Sequence, residues 1–213
     1  MGKVATVSLF IRVFLKLTVK MSNQQEISLS NKLFKVTFLE QIFNHLFEIS
    51  ENTILVSGGE EPIYLPKSKT GSVNKIISTR DYFSSALHEI SHWCLAGEQR
   101  RKLIDYGYWY EPDGRSEEQQ RLFEQVEVKP QALEWLFTQA VGRKFSLSVD
   151  NINQPEVVAS EEFKCQVARQ AQRYLVDGLP GRANLFLKAL LTNYKPNAPL
   201  LNSEDFTLQK LIY

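Results

Sequence analysis

The stretch His88-Glu89-Ile90-Ser91-His92 constrains this chain more than any other. Two histidines four residues apart on a helix lie one turn from each other on the same face, so both imidazoles can reach a single metal ion. Glu89 then sits beside that ion. The apolar run from Phe83 through Leu95 carries the pair on one long helix, with Asp81 expected at its N-cap and Gly97 at its end. The competing reading makes both histidines ordinary helix residues beside a core. Of three histidines in the chain, two are here. His45 falls in an amphipathic pattern and reads as a surface or partly buried residue. The spacing names a metal site without naming the metal, and a third ligand has to come from elsewhere in the fold.

The 213 residues, 43% of them hydrophobic and 11% aromatic, suffice to bury the core of one domain. A formal net charge of +1 provides no overall field for nucleic acid or anionic membrane. Two cysteines, Cys94 and Cys165, cannot build a disulfide framework or a thiolate cage; both are expected to be buried, and they fit a reducing compartment. There is no internal repeat, low-complexity run or Gly-rich phosphate loop.

Residues 1–20 differ from the rest. Their apolar run is broken by Arg12, Lys16 and Lys20, so it is too charged to span a bilayer and lacks a cleavage site. An amphipathic interfacial helix is one reading. The preferred one takes Met21 as the start and residues 1–20 as a disordered N-terminal extension outside a domain of residues 21–213. From Asn31 the pattern is helical, with Phe34, Phe38, Ile42 and Leu46 in one row and Leu39, Phe43 and Phe47 beside it. Thr53-Ile54-Leu55-Val56 and Pro62-Ile63-Tyr64-Leu65-Pro66 read as two strands around a Gly58-Gly59 turn, and residues 74–79 as a third.

Beyond the histidine helix, residues 98–106 read as a short helix with a basic face. Tyr106-Gly107-Tyr108-Trp109-Tyr110 follows, closed by a Pro-Asp-Gly turn; its rings either fill the core or face a substrate. Ser116 caps the next helix, which Pro130 must kink or restart. Residues 144–149 are a strand candidate, and helices are expected over residues 161–175, 180–191 and 203–212. The fold class is therefore α+β: a helix-rich single domain with a small sheet.

Cys94 points away from the histidine face, so the third ligand is sought among downstream carboxylates. Glu127 ranks first, because it lies between Val126 and Val128 near Pro130, where a solvated charge is least expected. A carboxylate buried unpaired there would cost several kcal/mol, which a cation removes. Glu124 ranks second and Glu134 third; a surface role for Glu127 is the bland alternative. Two histidines and a carboxylate then admit two chemistries. With zinc, Glu89 is the general base of a metalloprotease. With iron, the same ligands form an oxygen-activating triad and Glu89 is a neighbour. The motif alone favours the protease.

Longer stretches reverse that preference. His88-Glu89-Ile90-Ser91-His92-Trp93-Cys94-Leu95-Ala96-Gly97, then Arg100-Arg101, Tyr106-Gly107-Tyr108-Trp109-Tyr110, Pro112-Asp113-Gly114-Arg115 and Phe123-Glu124-Gln125-Val126-Glu127-Val128-Lys129-Pro130-Gln131-Ala132-Leu133 closely resemble the elongation factor P hydroxylase family. Glu61-Pro62-Ile63-Tyr64-Leu65-Pro66 resembles it too, so the likeness covers residues 31–194. The resemblance implies a cytoplasmic, iron-dependent oxygenase using Fe2+ and O2. Its substrate would be the lysine of elongation factor P after a β-lysyl group has been attached. It also implies His88, His92 and Glu127 as metal ligands, with Glu89 the catalytic neighbour. A cationic, lysine-derived side chain suits aromatic faces and carboxylates, which Tyr106, Tyr108, Trp109, Tyr110 and Glu111 could supply. Arg100, Arg101 and Lys102 form either a solvated helix face or a surface for an acidic partner. No 2-oxoglutarate clamp, flavin site or iron–sulfur motif identifies an electron donor.

Overall fold

The computed structural model describes residues 34–105, 115–149, 158–195 and 199–212. Expectations for residues 1–20, and for Tyr106, Tyr108, Trp109, Tyr110 and Glu111, lie outside them. Val36–Tyr213 is one compact unit. Among the described residues it is helix-rich with a single three-stranded sheet, an α+β arrangement.

Helix α1 (Val36–Phe47) turns Leu39, Phe43 and Phe47 fully inward, while Phe38 and Leu46 pack at the margin of the core. The inner row is thus the one beside Phe38 and Leu46. Trp93 sets that rotation, since its ring lies 5.1 Å from Phe43 and 4.9 Å from Phe47. Truncating a buried phenylalanine of this kind to alanine costs about 3–5 kcal/mol.

Strands β1 (Thr53–Gly59) and β2 (Ile63–Leu65) do not form the expected hairpin with each other. After a short helix α2 (Lys67–Thr70), strand β3 (Asn74–Thr79) enters between them, parallel to β1 and antiparallel to β2. The Gly58-Gly59 pair makes this possible as a bulge rather than a turn. Gly58 adopts φ +99°, and a Cβ on Gly59 would lie 2.6 Å from the Ile77 side chain. Helix α1 covers the outer edge of β1: the Asn44 side chain accepts from the Leu55 N–H at 2.7 Å and donates to its carbonyl at 3.3 Å.

Helix α3 (Phe83–Leu95) carries the histidines. Tyr82, not Asp81, occupies its N-cap, and Ser85 accepts from the Thr79 N–H at 3.0 Å, joining helix to strand. At the other end, one guanidinium nitrogen of Arg182 donates to the carbonyls of Trp93, Cys94 and Ala96 at 3.0, 3.2 and 2.5 Å. The expected helix over residues 98–106 is reduced to a 3-10 turn, Arg100–Lys102. Its basic face is used internally: Arg100 pairs with Asp105 at 2.6 Å and Arg101 with Glu51 at 2.8 Å. Lys102 is left on the surface beside Glu98.

Helix α4 (Glu117–Ala140) begins with a capping box between Ser116 and Gln119 and continues through buried Pro130 as one assigned helix. The missing Pro130 N–H removes the helical donor of the Val126 carbonyl, and packing on both sides of the proline maintains the helix. Residues 144–149 form no strand. They lie along α4, with Phe145 stacked 5.7 Å from Trp135. Helices α5 (Glu161–Asp177) and α6 (Gly181–Tyr194) follow as expected; the last is split into a 3-10 turn, Ser203–Asp205, and α7 (Leu208–Ile212). Phe186 of α6 ties Phe43 to Phe137, so helices α1, α3, α4 and α6 share one core. Cys94 is buried, but Cys165 is partly exposed on α5. Among the described residues, no helix is long and apolar enough to cross a membrane.

Candidate metal centre

Helices α3 and α4 bring His88, His92 and Glu127 together. One nitrogen or oxygen from each lies within 4.8 Å of the others. The two Nε2 atoms are 3.0 Å apart; His92 Nε2 is 3.3 Å from Glu127 Oε1, and His88 Nε2 is 3.7 Å from Glu127 Oε2. Two imidazole nitrogens and a carboxylate oxygen suit a divalent first-row metal. Cys94 takes no part in this cluster.

The geometry follows from a polar stripe on α4. Glu124, Glu127, Gln131, Glu134 and Thr138 recur at intervals of three and four, which places them on one face, and all five are buried. The three glutamates among them are engaged differently. Glu127 faces the histidines. Glu134 accepts from His88 Nδ1 at 2.9 Å, which fixes that ring's orientation and leaves Nε2 turned to the cluster. Glu124 faces the other way along the stripe, accepting from the Ser160 N–H at 3.1 Å and hydroxyl at 2.5 Å, and so ties α4 to the N-cap of α5. Of the three carboxylates weighed as a third ligand, only Glu127 reaches the cluster.

Three carboxyl groups, Glu89, Glu127 and Glu134, are buried around two imidazoles. Burial opposes charge on Glu127, but His92, His88 and the Gln131 hydrogen bond outweigh it and hold the carboxyl at about 2. Burial also opposes charge on His88; the Glu134 hydrogen bond, with the charges of Glu134, Glu127 and Glu89, prevails and raises the imidazole to about 10. Glu89 is pushed up by burial, with His88 and His92 offsetting part of the rise. A buried site this rich in carboxylates attracts either protons or a cation.

His88 and Glu127 of the cluster line a cleft of about 880 Å3. Its lining includes Phe83 and Leu87 of α3, Phe123 of α4, the segment 143–148 and, before β2, Glu60 and Glu61. Glu89 also lines this cleft, as does its neighbour His88. Sequence reasoning missed Gln131, and it treated Glu134 only as a ligand candidate. The three-and-four spacing of polar residues along 124–138 is the signal that could have found both.

A sequence model of the family described as elongation factor P hydroxylase matches residues 42–206. A Haemophilus influenzae protein described as elongation factor P lysine hydroxylase is 54% identical over 153 residues, covering 72% of this chain and 85% of that relative. His88, Glu89, His92 and Glu127 all fall within residues 42–206.

Proposed function

This chain belongs to the elongation factor P hydroxylase family, and from that premise we propose that it is an iron-dependent oxygenase acting on the β-lysyl-modified lysine of elongation factor P. The observation that carries the chemistry is the convergence of His88, His92 and Glu127, with His88 and Glu127 lining an open cleft. Iron held by these three residues would supply activation of dioxygen for attack on an unactivated carbon. Glu134 orients His88 through Nδ1. Glu89, whose burial favours the protonated carboxyl, can hold a proton beside the ligands. We assign residues 21–213 to the hydroxylase domain and residues 1–20 to an extension, and we place the enzyme in the cytoplasm with the translation machinery.

A cleft of about 880 Å3 lies within the roughly 300–1,000 Å3 of sites that enclose small molecules. It fits a long side chain and not a folded protein, so the factor docks outside and inserts its modified lysine. Glu60 and Glu61 in the lining offer acceptors for ammonium groups. Tyr108, Trp109, Tyr110 and Glu111 remain candidates for the same task.

The ligand set also serves a zinc protease with Glu89 as base, and family membership is what favours hydroxylation. Mass spectrometry of elongation factor P from cells with and without the gene separates the two readings. Gain of one oxygen on the lysylated factor, only when the gene is present, is the expected result. Cleaved factor, or co-purification with the factor and no change in mass, would overturn it.

A further inference from the structure

Gln131 is 1% exposed and makes three hydrogen bonds in two directions. Its Nε2 donates to the Ser148 carbonyl at 2.7 Å and to Glu127 Oε2 at 3.3 Å, while its Oε1 accepts from the Ser148 N–H at 3.1 Å. The Ser148 peptide decides which way the amide lies, because it presents one donor and one acceptor. The flipped amide would set oxygen against the Ser148 carbonyl and against the Glu127 carboxylate. A single side chain therefore joins a candidate metal ligand to the wall of the cleft.

That wall is held from other sides as well, with Phe145 and Leu147 packed against the core. Residues 144–148 line the cleft and belong to no helix or strand, so no backbone ladder sets their position. Phe145 on Trp135 anchors one end, and Arg115 donating to the Val149 carbonyl at 2.6 Å anchors the other. Between these points Gln131 holds Ser148. It also restrains Glu127 Oε2 and leaves Oε1 as the oxygen closer to His92.

We infer that Gln131 is a positioning residue that couples the cleft wall at residues 144–148 to Glu127, so that metal binding and the seating of that wall reinforce each other. The inference rests on His88, His92 and Glu127 being the metal site. Coupling of this kind is reciprocal: a substrate that presses on the wall in its bound position tightens metal, and metal orders the wall. Glutamine alone fits the role. Leucine at 131 removes the amide that bonds the Ser148 N–H and carbonyl, and glutamate sets a second carboxylate against Glu127.

The test uses cobalt(II) as the probe, with its visible spectrum reporting coordination and hydrogen exchange reporting the amides of residues 144–149. In the unaltered protein, cobalt(II) is expected to slow exchange at Phe145 to Ser148. In Gln131→Leu, affinity should fall about 10–100-fold, and saturating cobalt(II) should no longer slow exchange there. Gln131→Glu should weaken cobalt(II) binding while retaining part of the wall contact through the Ser148 N–H. The coupling is overturned if the unaltered protein shows no cobalt-dependent protection, a measurement that needs no variant. It is overturned equally if Gln131→Leu keeps the original affinity and protection. His88→Ala is the control: undiminished cobalt(II) affinity in that variant would overturn the metal-site reading, and the coupling with it.

Discussion

His88 Nδ1 lies 2.9 Å from a carboxylate oxygen of Glu134, a residue 46 positions further along the chain. This contact decides which ring nitrogen is left for a metal, because Nδ1–H is committed to the carboxylate. Glu134→Ala should therefore weaken metal binding by about 10–100-fold without removing a ligand. Glu134→Gln, which still accepts from Nδ1–H, should fall between the two. Titration with cobalt(II) against a competing chelator measures the order. Equal affinities in all three proteins would show that Glu134 has no bearing on the site.

Metal affinity should rise with pH. A ligating imidazole must be neutral, whereas His88 in the metal-free protein keeps its proton up to about 10. Each metal bound then displaces one proton, giving roughly tenfold tighter binding per pH unit between pH 6.5 and 9. Glu127, held at about 2, is already ionised there and adds nothing to the slope. Chelator competition at three pH values reads it, and a flat response would contradict a protonated His88.

Removing metal should make stability sensitive to pH on two sides. The raised folded-state pKa of His88 contributes stability below 6.5 that is lost as pH climbs toward about 10. The depressed pKa of Glu127 contributes stability above 4.5 that is lost as pH falls toward about 2. Thermal unfolding of chelator-treated protein should thus peak between pH 4.5 and 6.5. Glu127→Gln should flatten the acid limb and also shorten the alkaline one, because the Glu127 charge is among those that raise His88.

Glu89→Gln separates the two chemistries that the motif admits. Under the hydroxylase reading this variant keeps the metal and loses less activity than His88→Ala, which loses a ligand. A fall of about 100- to 10,000-fold with metal retained would instead make Glu89 an essential proton-transfer group. Metal content by elemental analysis and oxygen incorporation by mass spectrometry give both readouts.

Arg182→Met removes the cation that bonds three carbonyls where α3 ends. Hydrogen bonds from a charged donor contribute about 1.5–3 kcal/mol, and a destabilisation of that order is expected in chemical denaturation. His92 occupies the last turn of α3, so metal affinity should fall as well. A variant as stable as the unaltered protein would show that the helix end is held by packing alone.

Much of the site is legible in the sequence because it depends on local spacing. His88 and His92 lie four residues apart on one helix, and any helix there puts both rings on one face. Glu127 stands out for a different reason: a carboxylate between two valines near a proline is expensive without a partner. Gly58-Gly59 shows the opposite case. The pair signals a reversal, but pairing β1 with β3 instead of β2 depends on contacts with residues that come later in the chain. Arg100 and Arg101 read as a basic face for a similar reason, since Glu51 and Asp105, which neutralise them, are joined to them only by the fold.

Family membership, the histidine helix and the class of ligand were determined by the sequence itself, through helical periodicity and the chemistry of side chains. The sequence ranks Glu127 first of three glutamates, but which of them joins the His88–His92 cluster was decided by tertiary structure. Glu124, Glu127 and Glu134 share one face of α4, and helical period cannot distinguish them. Their different partners, Ser160, the histidine cluster and His88 Nδ1, arise where α4 meets α5 at one end and α3 at the other.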